Sequence, residues 1–247
     1  MLQHPFLEKM FEWANGISYS SFGTSDGQGF FLTSHDMEKL SNKNSIQDLN
    51  NATILYFFGK NEFGKSFDNE IIGYMRRIGY YLSKISIRQN PFSAIQLNDD
   101  TSVYMLSVDE TDRSASLFQS QMSQGMFRAL SLIIQIVYNT LKGLSTTMLI
   151  DDIGEGLDFD RSSRLIKLLI DIAEKNDNIQ LIMSTNDRFV MNVVSLQYWQ
   201  VIQRNGGECR VFNYRNSREK FDEFEYMGLN NFDFLATDYI NSEWKKT

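Results

Sequence analysis

Cysteine is nearly missing from this chain: Cys209 is the only one in 247 residues. One thiol cannot close an internal disulfide, so a secreted disulfide scaffold is excluded, and Cys209 reads as an ordinary strand residue. Histidine occurs twice, as His4 and His35. Both stand in polar sequence far from any cysteine or carboxylate cluster, so neither a zinc site nor a Ser-His-Asp triad is expected. No apolar run approaches the ~18 residues of a membrane span. The N-terminal residues lack a basic segment followed by an apolar one, so no secretory leader is expected and the cytoplasm is the default location. Basic residues are outnumbered, 24 Lys and Arg against 31 Asp and Glu, a net charge of −7. Non-specific DNA binding by a broad basic surface is therefore not supported by charge.

What is present is ordinary for a soluble globular chain, with 42% apolar and 22% charged residues. The length suits one large α/β domain, or a domain with a small subdomain. Helical spacing of Phe6, Met10 and Trp13 predicts a short helix over 5–14. Residues 15–52 read as loops with one helix at Ser34–Leu40. A strand is predicted over 53–58 and a helix over 67–84, with Ile71, Met75, Ile78 and Leu82 in one stripe. Residues 92–97 and 102–108 flank a turn at 98–101, a hairpin signal. A long helix follows over Ser120–Leu141, then a strand over 146–151, a helix over Arg161–Lys175, a strand over 179–184 and a helix near Arg188–Val194. A hairpin over 199–204 and 209–214 and an aromatic, helical tail complete the chain. The alternation from residue 120 onward predicts an α/β fold with parallel central strands, flanking helices and a C-terminal β-hairpin.

The densest chemical signal is Thr146-Thr147-Met148-Leu149-Ile150-Asp151-Asp152. Apolar residues running straight into two carboxylates read as a buried parallel strand ending where its acids can meet a ligand. Asp151 is placed to hold a magnesium ion, directly or through water. Upstream, Met122-Ser123-Gln124-Gly125-Met126 opens an apolar helix, and a helix N-terminus with a hydroxyl and free amides is an anion site. Arg128, one turn in, is within reach of a phosphate at that helix start, but a surface salt bridge is the favoured reading.

From about Gln119 to Asn216 the chain resembles the C-terminal half of the RecF/OLD-like, ABC-related AAA-type ATPases, a P-loop NTPase-like fold. The resemblance implies ATP and Mg2+ as ligands. It makes Ser123 and Gly125 the signature pair that touches the γ-phosphate across a homodimer, Asp151 the Walker B magnesium residue, and Asp152 the general base. It makes Glu155–Asp158 the D-loop, with Asp158 at the partner subunit, and Ser184–Asp187 the switch segment, with Asn186 where the family carries histidine. Asp152 stands where the family carries glutamate, which points to slow hydrolysis. Relatives of this kind act in DNA maintenance or anti-phage defence, coupled to an effector such as a nuclease.

Gly59-Lys60-Asn61-Glu62-Phe63-Gly64-Lys65-Ser66 fits G-x-x-x-x-G-K-S. As a phosphate loop, Gly59, Asn61 and Gly64 would bring backbone amides to phosphates, Lys65 would neutralise them and Ser66 would bind magnesium. As a decoy, the glycines are turn residues, Lys65 is a solvated cation and Ser66 is a helix cap. Bulky Glu62 and Phe63, and a gap of only 58 residues from Lys65 to Ser123, favour the second reading. The expected organisation is a 1–118 lobe containing this pattern and a 119–247 core with the signature, Walker B, D-loop and switch segments. A fragment lacking its own phosphate loop, or a non-hydrolysing scaffold, are the alternatives.

Overall fold

The computed structural model describes residues 5–21, 27–41, 51–90 and 102–241. The described elements are α1 (Glu8–Asn15), β1 (Ile17–Ser21), β2 (Leu32–Thr33), α2 (Ser34–Ser41), α3 (Ala52–Phe63), α4 (Lys65–Arg77), β3 (Leu82–Gln89), β4 (Val103–Glu110) and β5 (Leu117–Phe118). They continue with α5 (Gln124–Lys142), β6 (Thr146–Asp151), α6 (Phe159–Lys175), β7 (Ile179–Met183), α7 (Arg188–Val193), β8 (Gln200–Asn205), β9 (Glu208–Asn213), α8 (Arg218–Tyr226) and α9 (Asn231–Ala236). Two compact units result, Met1–Ser184 and Thr185–Thr247.

The first unit holds two sheets. One is parallel, in the order β1-β6-β7, so that β6 is central and its acidic C-terminal end is flanked by both neighbours. The other is antiparallel, in the order β2-β4-β3 with β5 also on β4. Packed against α3 and α4, α5 is almost wholly buried, because Met126, Leu130, Ile133, Ile134 and Val137 recur on several faces of one helix. The α/β class with a parallel sheet and flanking helices is as the alternation of elements predicts. The second unit packs the β8-β9 hairpin against Phe221, Phe224, Phe234 and Ile240. Its aromatic tail is thus core, with aromatic ring pairs such as Phe221–Phe234, 4.7 Å between centroids.

Several expectations are corrected. Residues 53–58 are helical. Asn51 caps α3 by accepting from the backbone N–H of Thr53 and Ile54, and Ala52, Thr53, Leu55, Tyr56 and Gly59 form a buried helical face. The β-branched and aromatic composition of this stretch suits a strand, but the cap and the packing against α5 prevail. The helix over 67–84 ends earlier: Gly79, at φ +96°, turns the chain, and Leu82 begins a strand. That strand, 82–89, pairs with 103–110, while the expected first strand and turn at 92–101 lie outside the described residues. Within 15–52, expected as loops, Ile17–Ser21 forms β1. Its polar sequence carries little strand signal, and its pairing to β6 spans about 130 residues of chain.

Candidate functional site

The end of β6 and the loop to α6 carry three of the expected residues, Asp151, Asp152 and Asp158. Asp151 ends β6, and its two carboxylate oxygens are held separately. Ser184 Oγ donates to Oδ1, and Tyr19 Oη donates to Oδ2 at 3.3 Å. Ser184 Oγ also accepts from the backbone N–H of Asp152 at 3.1 Å. One hydroxyl at the end of β7 therefore fixes both members of the acid pair. The backbone of Asp152 lies at φ +51°. Two tight turns follow, Glu155 N–H to the Asp152 carbonyl and Leu157 N–H to the Gly154 carbonyl, both 3.1 Å. Gly154 and Gly156 supply the positive φ these turns require.

The start of α5 packs directly on this loop. Ser123 caps α5, its hydroxyl accepting from Met126 N–H at 3.3 Å. Gly125 lies so close to Gly156 that a Cβ would stand 2.2 Å from the Gly156 carbonyl oxygen. Arg128, expected at the surface, is only 8% exposed, and its Nη1 donates to the Glu155 carbonyl at 3.2 Å. The residue that looked like surface charge thus clamps the loop to α5. Gly125 is a packing contact within one chain, and Ser123 and Gln124 are the exposed members of the helix start.

Asp158 caps α6 by accepting from Arg161 N–H at 2.9 Å, and it pairs with the Arg161 guanidinium. The Arg161 backbone N–H first, and then its guanidinium, hold the Asp158 carboxyl below the usual carboxylate range. A depressed folded pKa adds stability that is present above the ordinary value of ~4 and lost as pH falls through the lower folded value. Asn caps as well as Asp but carries no charge. Asp158→Asn is therefore expected to be slightly less stable than wild type at neutral pH, by no more than about 0.5 kcal/mol for so exposed a pair. The difference should vanish in urea denaturation series taken below the carboxylate range. A constant difference across the series would exclude the charge as its source.

The G-x-x-x-x-G-K-S pattern lies elsewhere. Gly59 and Asn61 are inside α3, and Gly64, at φ +60°, is the corner between α3 and α4. A phosphate loop needs a run of unbonded amides, but Gly64 N–H is bonded to the Lys60 carbonyl at 3.0 Å. A Cβ on Gly59 would lie 2.4 Å from the Phe67 ring, so this glycine serves helix packing. Lys65 and Ser66 are exposed at the start of α4. Glu62 is ion-paired to Lys142, at the C-terminal end of α5, and the Phe63 ring meets Tyr138. Ser123 and Gly125 are at the other end of that 19-residue helix, about 28 Å away at 1.5 Å per residue. The strand-loop-helix assignment of Gly59, Asn61, Gly64, Lys65 and Ser66 is thus corrected to a helix-helix corner remote from Asp151.

Asn186 belongs to the second unit, beside Asp187, which caps α7 by accepting from Phe189 N–H at 2.7 Å. Among the described residues no group of three or more His, Cys, Asp or Glu side chains gathers. Magnesium typically takes one or two carboxylates and completes its shell with water and substrate phosphates, and a single pre-oriented Asp151 fits that pattern. Tyr19 and Ser184 escaped sequence reasoning as ligand-orienting groups. Ser184 had a usable signal, its place at the end of the strand next to Asp151; Tyr19 had none.

The chain matches no protein-family model and no curated protein. Among solved structures it is similar to heads of SMC ATPases. One belongs to SMC ATPases described by ATP-driven dimerization and DNA-stimulated activation, with a TM-score of 0.43 at 15% identity over 67% of this chain and 97% of that one. An Smc head bound to the C-terminal winged-helix domain of ScpA gives 0.44 at 16%, over 72% and 53%. A Pyrococcus furiosus Smc head with an extended coiled coil gives 0.40 at 18%, over 70% and 43%. Likenesses this distant do not transfer a ligand or a partner.

Proposed function

We propose that the chain is the metal-carboxylate and signature half of an ABC-type, ATP-gated module, whose phosphate loop is supplied from outside residues 59–66. One observation carries the reading. The Asp151 carboxylate, at the end of a central parallel strand, is oriented at both oxygens and immediately precedes the loop that packs against the capped start of α5. That combination pairs a magnesium-binding acid with an anion-binding helix end. Magnesium, when bound with nucleotide, would neutralise phosphate charge. Asp151 holds its place, Ser184 and Tyr19 orient Asp151, and Ser123 presents its hydroxyl at the helix start. Dimerization around ATP, and coupling to an effector such as a nuclease in DNA maintenance or defence, belong to the same proposal through the family resemblance.

The direct test is backbone NMR during titration with Mg-ATP. Shifts are expected at 123–126 and 151–158 at millimolar nucleotide, to be abolished by Asp151→Asn and unchanged by Lys65→Ala. Shifts centred on 59–66, or loss of binding in Lys65→Ala, would sink the reading. Asp152, an aspartate where the family carries glutamate, supports a second reading, a nucleotide-gated scaffold without turnover. Asp152→Asn separates the two. If Asp152 is the base, any ATPase rate of the assembled protein should fall at least about 100-fold; an unchanged rate removes Asp152 from the chemistry.

A further inference from the structure

Tyr80 is buried, 8% exposed, at the corner where α4 turns into β3. The backbone fixes its place: Tyr80 N–H donates to the Met75 carbonyl at 2.9 Å, and Gly79, at φ +96°, makes the turn. Two helix starts meet on this one side chain. Its hydroxyl is in hydrogen-bonding contact with the side chain of Ser123, the cap of α5. The Arg161 guanidinium, in the first turn of α6, lies over its ring, 4.6 Å from the centroid. Arg161 is itself held by Asp158, the cap of α6. One buried tyrosine therefore backs Ser123 directly and Asp158 through Arg161.

The bonding capacity of Ser123 gives this contact its meaning. A serine hydroxyl has one proton to donate and two lone pairs with which to accept. Met126 N–H uses one lone pair, at 3.3 Å. Between two hydroxyls either oxygen can donate, so Ser123 and Tyr80 can exchange roles. An ionised phosphate oxygen only accepts. Its arrival at the exposed Ser123 selects one arrangement, in which Tyr80 donates to Ser123 and Ser123 donates outward. A chain of hydrogen bonds ending on an anion polarises along its length, and each link strengthens the next. Burial pushes the Tyr80 pKa up and keeps its proton in place, while the Arg161 charge acts against that shift and makes the phenol a better donor.

We propose that Tyr80 is a positioning residue for phosphate at the start of α5: its hydroxyl fills the second lone pair of Ser123 Oγ and so directs the Ser123 proton to a phosphate oxygen of the nucleotide, with Arg161 and Asp158 holding the tyrosine in place. This rests on the ATP-module reading above and adds to it a residue that does not touch the ligand.

Tyr80→Phe removes the phenolic oxygen and keeps the ring under Arg161. Backbone NMR reads the Mg-ATP affinity of the full chain as wild type, Tyr80→Phe, Ser123→Ala and the double variant. Ser123→Ala should weaken binding about tenfold and Tyr80→Phe about fivefold, with the rest of the Tyr80→Phe spectrum unchanged. The double variant should bind as Ser123→Ala does alone, because Tyr80 acts only through that hydroxyl. A merely structural tyrosine gives losses that add, and such losses, or wild-type affinity in Tyr80→Phe, overturn the proposal. Titrating the same four proteins with inorganic phosphate separates it from the ATP reading. If phosphate shifts 123–126 with the non-additive pattern while Mg-ATP does not bind, the role of Tyr80 stands and the ATP reading fails. If Mg-ATP binds without that pattern, the ATP reading stands and Tyr80 is removed from it. No response to either ligand overturns both.

Discussion

Gln119→Leu is expected to lower folding stability by about 4 kcal/mol, seen as a fall in urea midpoint at unchanged slope. Gln119 is fully buried and joins three parts of the first unit. Its Oε1 accepts from Thr53 Oγ1 of α3 and from Leu106 N–H of β4, both at 2.9 Å. Its Nε2 donates to the carbonyls of Gly27, Gln28 and Phe30, the last at 2.7 Å. Leucine fills a similar volume but satisfies none of these groups. Two buried donors and several carbonyls would then lack partners, at about 1–3 kcal/mol for each that water does not reach. Gln119→Glu keeps the acceptor and should recover part of the loss only when protonated, so its midpoint should rise on acidification relative to neutral pH. A loss below about 1 kcal/mol for the leucine variant would mean that water enters and replaces the side chain.

Gly125→Ala is expected to cost about 3 kcal/mol and to disturb the Asp152–Asp158 loop. Added to the backbone as it stands, the new methyl would lie 2.2 Å from the Gly156 carbonyl oxygen and 2.8 Å from its carbon. These are backbone atoms, so the strain cannot be relieved by a rotamer change; α5 and the loop must separate. Separation also pulls Arg128 from the Glu155 carbonyl, leaving a largely buried guanidinium short of an acceptor. The variant should show both the stability loss and amide shifts confined to 123–128 and 152–158. A stable variant with wild-type spectra would show that the close approach is dispensable. Alanine usually gains over glycine within a helix, so the sign of the effect is itself diagnostic.

The legibility of this fold in its sequence follows the strength of each local period. α5, β6, α6 and β7 carry long, clean apolar patterns, and all four stand within a few residues of where those patterns end. The loop from Asp152 to Asp158 was readable because acids and glycines followed a pure strand. α3 was misread because Thr53, Ile54, Tyr56, Phe57 and Phe58 have strand propensity, whereas its helical state is set by the Asn51 cap and by α5. β1 was missed because Ile17–Ser21 is short and polar and is held by a partner strand about 130 residues away. The phosphate-loop pattern shows the limit of a motif without its context: the right residues at the right spacing bend around a helix-helix corner. Long-range pairs, Tyr19 with Asp151 and Arg128 with the Glu155 carbonyl, arise from tertiary packing that no local window contains.

The backbone at Asp152 bears on the identity of the acid itself. At φ +51° a residue sits in the left-handed basin, where asparagine and aspartate are enriched because a short polar side chain can satisfy nearby backbone groups. Glutamate lacks that local compensation. The turn itself therefore favours a short acid at position 152 over a longer one. Replacements that the turn tolerates would run toward asparagine and glycine before glutamate.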